Sequence, residues 1–280
     1  MDLMAAEYRA FRLAADLART QDRREAAKGY DLRALAIQRF IEAKAWNAEK
    51  RHFSGFAGSG QSFFGDGDAF ILYFSATKDP SKIQGALAAI KEKLKTSTPG
   101  IEEQSYLPEI LYRYGAAEEA YSQILDLSRP NRERREYPEV SYSIIGAIVT
   151  GMMGIDVTLQ HSSGHTHVGR TVISTLPQLS GKTSSVELDH LPVRNNVINL
   201  RHEGNGSSTL TNVSGPALLW QPRFPGRSHH LMVDGRRVAA STTSDRQHRV
   251  MTTTSILIQP NSRMVVKMVD PIPAPVSVVQ

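Results

Sequence analysis

The sequence predicts two successive parts, a set of antiparallel α-helical hairpins followed by an antiparallel β-sandwich. Residues 1 to about 155 carry apolar side chains at helical spacing. The residues after about 156 form short runs rich in β-branched side chains, and Gly, Pro, Asn and Asp interrupt these runs as turns interrupt strands. The change of period near residue 156 therefore predicts the boundary between the two parts.

The first part is predicted to contain helices that are joined by short connectors. Ala34, Ile37 and Ile41 repeat at helical spacing, and Asp79 followed by Pro80 is typical of a helix start. Short connectors place neighbouring helices antiparallel to one another. The predicted helices span residues 3–20, 23–44, 68–77, 80–95, 103–115, 117–128 and 138–153.

The second part is predicted to contain many short strands at regular spacing, which is typical of a sandwich. The segments VDGRRV (233–238) and HEGNGSS (202–208) indicate hairpin turns. The proline-rich end of the chain favours an extended tail. The predicted domains are residues 1–155, residues 156–270 and a tail at 271–280.

Composition excludes several classes of function. The chain has 280 residues and no cysteine, so disulfides and thiolate metal sites are absent. No apolar run approaches the ~18 residues of a membrane span, and the N-terminus lacks the pattern of a signal peptide, which leaves the cytoplasm as the default compartment. The net charge of +5 comes from scattered basic residues, so we expect no nucleic-acid partner. No phosphate loop, dinucleotide fingerprint or nucleophile elbow occurs, so we expect no cofactor.

Three helical segments and one strand-rich segment resemble the six-hairpin glycosidases. The stretch at 8–56, which ends in WNAEKRHF, resembles one hairpin of their α/α toroid, and residues 102–127 resemble another. YPEVSYSIIGAIVTGMMGIDV (137–157) resembles the closing toroid helix, and residues 202–226 are similar to the β-domain that follows it in several such families. The predicted helices are too few for six hairpins. The chain therefore resembles the C-terminal half of a toroid plus its β-domain, so either the N-terminal half is missing or the protein is a shortened relative.

The resemblance implies an enzyme that hydrolyses glycosidic bonds in an oligosaccharide or polysaccharide. Inverting glycosidases need an acidic and a basic carboxyl group, about 6.5–9.5 Å apart. In PGIEEQSYLPE (99–109), the resemblance implies that Glu103 is the base, with Glu102 as its substitute. The alternative is that both glutamates only favour the start of a helix through its dipole. The general acid of such families normally lies on an earlier hairpin.

The glycine-rich stretch GSGQSFFGDGDAF (58–70) is the second candidate region. In such toroids the loops at one end line the sugar cleft, which implies substrate contacts for Phe63, Phe64 and Asp66, and a catalytic carboxylate at Asp68. The alternative is a tight turn in which one of the two aspartates caps the next helix. In an up-down arrangement this loop and the start of the helix at Glu102 and Glu103 lie at the same end. We therefore expect an aspartate within about 10 Å of a glutamate.

Further candidates for substrate binding are Trp46 and Tyr106 as stacking platforms and His52 as a polar contact. The alternatives are that Trp46 packs within its hairpin and that His52 is a structural or exposed histidine. A metal site is considered at His161, His165 and His167, but no carboxylate accompanies them in that run, so a turn explains them and we expect no metal.

Two rival functions remain open. A polysaccharide lyase that acts on a uronate-containing glycan needs a base such as His or Tyr and nearby cations, and His52, Tyr106 and the positive net charge are compatible with it. A non-catalytic glycan-binding or interaction module is the second rival. Product analysis separates these functions, because a lyase yields an unsaturated sugar, a hydrolase yields plain reducing sugar, and a binding module yields neither.

Overall fold

A computed structural model describes residues 1–58, 60, 63–97, 99–131, 138–160, 170–245 and 249–269. The histidines at 161, 165 and 167 and the predicted tail at 271–280 lie outside the described residues. The chain divides into two compact units. The first unit comprises Met1–Tyr114 and Leu125–Ser143, and the second comprises Gly115–Ile124 and Ile144–Gln280. The domain limits drawn from the sequence stay a prediction.

Seven α-helices lie in the described part of the chain, in the predicted order. Asp79 caps α4 by accepting hydrogen bonds from the backbone N–H groups of Ser81 and Lys82, and Pro80 occupies the first turn, as the sequence predicts. π-helical turns continue α2 over Ile41–Ala45 and α7 over Ala147–Met152. The helices are α1 (Asp2–Thr20), α2 (Arg24–Phe40), α3 (Asp68–Tyr73), α4 (Pro80–Thr96), α5 (Ile101–Arg113), α6 (Ala117–Leu127) and α7 (Glu139–Gly146). Within the described residues, no helix combines the length and the apolarity that a membrane span requires.

The first unit also contains a three-stranded antiparallel sheet, which corrects the prediction that residues 1–155 are wholly helical. Its strands are β1 (Trp46–Asn47), β2 (His52–Ala57) and β3 (Phe63–Asp66), in the order β1-β2-β3. The glycine-rich stretch therefore contributes β3, which forms a hairpin with β2, and the first residues of α3. This hairpin leads directly into α3, so the helix predicted at 68–77 begins at Asp68. The helix ends at Tyr73, earlier than predicted.

The second unit consists mainly of two six-stranded sheets. Their strand orders are β11-β10-β15-β8-β7-β6 and β12-β13-β9-β5-β4, and β14 pairs with β9 outside the second path. The pairing is antiparallel except between β5 and β9, which run parallel. The strands are β4 (Asp156–Gln160), β5 (Arg170–Thr175), β6 (Ser185–Val193), β7 (Asn196–Glu203), β8 (Ser207–Ser214), β9 (Leu218–Pro225), β10 (His230–Val233), β11 (Arg236–Ala239), β12 (Ser241–Ser244), β13 (Val250–Thr253), β14 (Ile256–Ile258) and β15 (Ser262–Met268).

Both sheets contribute side chains to one buried apolar cluster. Leu200 and Leu210 come from the first sheet, and Trp220 and Phe224 from the second. Buried and more accessible residues alternate along β7 and β8, as expected for strands with one face on a core. Period-2 patterning therefore buries one face of β7 and β8 and leaves their other face accessible.

A histidine lies inside this core. His202 is fully buried, its Nε2 lies 3.1 Å from the Met153 carbonyl oxygen, and its Nδ1 lies 2.7 Å from the Ser208 hydroxyl. A carbonyl only accepts, so Nε2 donates and Nδ1 accepts from the hydroxyl. Burial lowers the pKa of His202 to about 4, although the Met153 carbonyl opposes that shift.

Candidate active site

Two glycines bring β2 and β3 close together and direct the chain into α3. Gly65 has φ +74°, which favours glycine. The Gly67 N–H donates to the Phe53 carbonyl at 2.7 Å, and a Cβ on Gly67 would lie 2.5 Å from the Ser54 carbonyl oxygen. No larger residue fits at Gly67 without moving the backbone. The glycines therefore hold the hairpin that carries Asp66 and the helix start that carries Asp68.

Asp68 is a buried carboxylic acid that is fixed by the neighbouring strand. It is 4% exposed, and its Oδ1 accepts a hydrogen bond from the Phe53 N–H at 2.7 Å. The N-cap of α3 is Gly67, and no side chain caps this helix. The alternative that Asp66 or Asp68 caps α3 is therefore wrong, because Asp68 lies within the first turn and binds a backbone N–H of β2 instead.

Burial changes the acidity of Asp68. Desolvation raises the pKa of its carboxyl group to about 7, because the charged form loses its water. The Phe53 N–H lowers the pKa, the negative charge of Asp66 raises it, and the Lys93 ammonium lowers it. Desolvation is the largest of these effects. A carboxyl group of this acidity holds and releases a proton near neutral pH.

Lys93 brings the two predicted regions together. Its Nζ lies 3.4 Å from Asp66 Oδ2, and it donates to both oxygens of Glu103, at 2.8 Å and 3.1 Å. These distances place Asp66 Oδ2 and Glu103 Oε1 no further apart than their sum, about 6.2 Å. The prediction that an aspartate of the glycine-rich stretch lies within 10 Å of a glutamate of α5 is therefore confirmed for this pair.

His52 lies on the other side of Asp66. Its Nδ1 is 3.7 Å from Asp68 Oδ2 and 4.0 Å from Asp66 Oδ1, and it lies 3.1 Å from the Phe53 carbonyl, to which it can only donate. His52 and the two aspartates line one cavity of about 250 Å³ together with Lys93 and Glu103. Lys50 and Glu92 line it as well, so the described lining combines the buried Asp68 with three further carboxylates, two ammonium groups and one imidazole.

Four other predicted site residues, Trp46, Phe63, Glu102 and Tyr106, do not line the described part of this cavity. Glu102 is exposed in the first turn of α5. Tyr106 is half-buried, and its ring centroid lies 5.4 Å from that of Phe70 and 5.1 Å from that of Tyr73. The roles predicted for Glu102 and Tyr106 stay predictions. The surroundings of Tyr106 are those of a packed aromatic cluster.

Trp46 and Phe63, two further aromatic candidates, contact other aromatic side chains. Trp46 packs edge-on against Phe53, with ring centroids 4.8 Å apart. Phe63 meets Phe40 edge-on, with ring centroids 6.2 Å apart. Phe64 belongs to β3, where its backbone is paired with that of Phe56 in β2. Their predicted role in sugar stacking also stays a prediction.

Sequence reasoning missed Lys93 as a site residue. It directly precedes Leu94 of the apolar stripe on α4, so it lies at the edge of the buried face. A lysine at the border of an apolar stripe, opposite a glutamate-rich helix start, was the available signal. Within the described ranges, no group of three or more His, Asp or Glu side chains is arranged to hold a metal ion.

The fold of the chain is similar to that of solved glycoside hydrolases. The α-L-rhamnosidase from Dictyoglumus thermophilum matches with a TM-score of 0.61 at 13% identity, over 93% of this chain and 31% of that chain. The α-L-rhamnosidase from Aspergillus terreus matches with a TM-score of 0.48 at 14% identity, over 89% and 29%. Ara127N-Se, a GH127 β-L-arabinofuranosidase from Geobacillus stearothermophilus T6, matches with a TM-score of 0.36 at 11% identity, over 93% and 40%.

The match to the rhamnosidase from Dictyoglumus thermophilum shows a glycosidase-like fold. The chain spans about a third of the length of that rhamnosidase, 31%. No protein-family model matches the sequence, and no curated protein matches it significantly. The expected resemblance is therefore confirmed only as a glycosidase-like fold, and the toroid and the sandwich stay predictions.

Proposed function

We propose that this chain belongs to a carbohydrate-active enzyme that hydrolyses glycosidic bonds in a glycan. In this proposal the helical hairpins are a portion of an α/α toroid, and the two six-stranded sheets form a β-sandwich. The likeness of the fold to a glycoside hydrolase supports the proposal. The observation that carries it is the buried Asp68, with its pKa of about 7, beside a cavity that also exposes the Glu103 carboxylate.

The proposed reaction is an inverting displacement with two carboxyl groups. Asp68 donates its proton to the oxygen of the leaving sugar, and Glu103 accepts a proton from the water that attacks the opposite side of the anomeric carbon. The glycosidic C–O bond breaks as the new C–O bond forms. Lys93 holds the Glu103 carboxylate in one orientation through its two hydrogen bonds.

The acidity of Asp68 suits the role of a proton donor. An ordinary aspartate with a pKa near 3.9 is almost fully ionised at neutral pH, whereas one with a pKa near 7 is about half protonated there. General acid catalysis is most efficient when the pKa lies near the working pH. Asp66 and His52 are the proposed contacts to sugar hydroxyls, because both line the cavity and can accept or donate hydrogen bonds.

A uronate lyase is the second candidate, and one observation favours it. His52 and Lys93 line the same cavity, so a base and a cation are present together. In this alternative, His52 removes the C5 proton next to the uronate carboxyl group, and Lys93 neutralises that carboxylate. The C4–O glycosidic bond breaks as the C4=C5 double bond forms, and the departing oxygen takes a proton from water. Tyr106, the other base considered for a lyase, does not line the cavity.

Turnover of purified protein with a panel of polysaccharides and aryl glycosides tests both candidates. Reducing sugar without ultraviolet absorbance supports hydrolysis, an unsaturated product supports elimination, and tight binding without either product supports a binding module. For hydrolysis, we expect Asp68→Asn and Glu103→Gln each to lower kcat about 10²–10⁴-fold. Glu7→Gln, an exposed carboxylate on α1, is the matched control and should retain activity. Unchanged turnover in both test variants contradicts the assigned roles.

A further inference from the structure

The first sheet of the second unit has a polar depression on the surface that faces away from the apolar core. We call this depression the outer face. Its volume is about 520 Å³, within the range of about 300–1,000 Å³ typical of ligand sites. Residues that alternate with the buried ones on four neighbouring strands form it. Those used below are Glu187, Arg201, Glu203, Thr209, Arg263 and Lys267.

Strand register explains why these side chains lie side by side. Arg201 of β7 is paired with Glu187 of β6 and with Thr209 of β8. Arg263 of β15 is paired with Thr211 of β8. Directly paired residues point to the same side of a sheet, with Cβ atoms about 4.5–5.5 Å apart. The outer face is therefore a regular array of charged and hydroxyl groups, set by the pairing of rigid strands.

Charges on the outer face are only partly compensated. The Arg201 guanidinium lies 3.2 Å from Glu187 Oε2 and 3.2 Å from Glu203 Oε1, so both carboxylates engage it. Arg263 and Lys267 are exposed, and within the described residues neither has a carboxylate within ion-pair distance. Four residues apart on one strand, their Cα atoms are separated by about 13 Å. Two cations with open hydrogen-bond donors therefore flank a patch of hydroxyl groups.

We propose that the outer face binds an anionic glycan, a polysaccharide that carries uronate carboxylates. The Arg263 guanidinium can bind a carboxylate through two parallel hydrogen bonds, and Lys267 supplies a second cation for another acidic sugar. Thr209 can donate to and accept from sugar hydroxyls, while the carboxylate of Glu187 accepts from them. The choice of a glycan as ligand rests on the proposed function, whereas the binding itself needs nothing from the cavity beside Asp68.

The composition of the outer face favours an acidic glycan over a nucleic acid. Single-stranded nucleic acids bind to cationic grooves that also offer aromatic rings for base stacking. No aromatic side chain lines the described part of this depression, and Glu187 and Glu203 would repel closely spaced phosphates. Sparse carboxylates separated by hydroxyl-rich rings match two separated cations better than a continuous phosphate backbone does.

Binding of the whole chain to polygalacturonate tests the proposal by isothermal titration calorimetry at low salt. The comparison ligands are fully methyl-esterified polygalacturonate, which lacks the charge, and single-stranded DNA of similar length. Of the three ligands, we expect only polygalacturonate to bind. Arg263→Gln combined with Lys267→Gln should weaken its affinity about tenfold or more, because a tenfold change corresponds to the loss of about one good charge-assisted contact. Lys182→Gln combined with Arg194→Gln removes the same charge from exposed sites outside the outer face and should bind like the wild type.

Two further variants, Arg263→Lys and Asp68→Asn, extend this test. Arg263→Lys retains the charge but loses the planar fork, so it should bind more weakly than the wild type; this single variant decides the result if the double variant does not fold. Unchanged affinity in Arg263→Lys and in the double variant, equal binding of the ester, or equal binding of DNA overturns the proposal. The Asp68→Asn variant should bind polygalacturonate like the wild type. If the wild type binds polygalacturonate but turns over no glycan, the hydrolysis proposal fails and this one stands. If it turns over a glycan but does not bind polygalacturonate, this proposal fails and the hydrolysis proposal stands.

Discussion

The buried carboxyl group of Asp68 predicts a stability that falls as the pH rises. Its pKa is about 7 in the folded protein and 3.8 for the unperturbed group. Between these values the folded state holds a proton that the unfolded state has lost, so the unfolding free energy decreases with pH. Asp68→Asn removes the ionisation, while its side-chain oxygen can still accept the hydrogen bond from the Phe53 N–H.

The expected change in unfolding free energy follows from the pKa shift of Asp68. A difference of about three pKa units, at about 1.4 kcal/mol per unit, gives an upper value of about 4 kcal/mol. Asp68 is 4% exposed, so solvent screens little of this energy. We expect Asp68→Asn to match the wild type near pH 4 and to exceed its unfolding free energy by about 2–4 kcal/mol at pH 8, the upper value being set by the full shift.

Urea unfolding at intervals between pH 4 and pH 8, followed by tryptophan fluorescence, measures this difference. Trp46 lies in the first unit beside β2 and therefore reports on the unit that contains Asp68. Glu7→Gln is the control, because Glu7 is an exposed carboxylate on α1 that does not line the cavity, and it should leave the pH dependence due to Asp68 unchanged. A carboxyl titration of Asp68 by NMR gives the pKa directly. A difference between Asp68→Asn and the wild type that stays constant from pH 4 to pH 8 would refute the reasoning.

Three further outcomes are expected. Because the pKa of His202 is about 4 in the folded protein, below its ordinary 6.5, its contribution to the unfolding free energy of the second unit is lost as the pH falls from about 6.5 to 4. In urea unfolding, the free energy of the wild type should therefore decrease over that pH range, and the free energy of His202→Gln should lack this decrease. Gly67→Ala forces a Cβ to within 2.5 Å of a backbone oxygen, so urea unfolding should show a loss of about 2 kcal/mol or more in the first unit. At the control position, a Cβ on Gly29 meets nothing within 4 Å, so Gly29→Ala should be neutral or stabilising by up to about 1 kcal/mol. The Lys93 ammonium lowers the pKa of Asp68, so in an NMR titration Lys93→Met should raise that pKa above about 7 and Lys93→Arg should restore it. An unchanged pKa in Lys93→Met would contradict the effect of the Lys93 charge on Asp68.

Local pattern was sufficient for the order and type of most elements. Helical spacing and the Asp79-Pro80 start predict α4 within one residue of its end, because capping and amphipathic periodicity depend on neighbours in sequence. The alternation along β7 and β8 likewise marks their buried faces. The β2–β3 hairpin was missed, because its glycines are explained by close approach to the facing strand and not by their own neighbours.

The sequence by itself determined that a mainly helical part precedes a strand-rich part, and that carboxylates lie at two helix starts, α3 and α5. The proximity of those starts was expected from up-down topology and is confirmed for Asp66 and Glu103. Only the tertiary structure decided that Lys93 bridges them and that Asp68 is buried with a pKa of about 7. The physical reason is that desolvation and ion pairing depend on which side chains from distant elements surround a group, and no spacing along the chain specifies those surroundings.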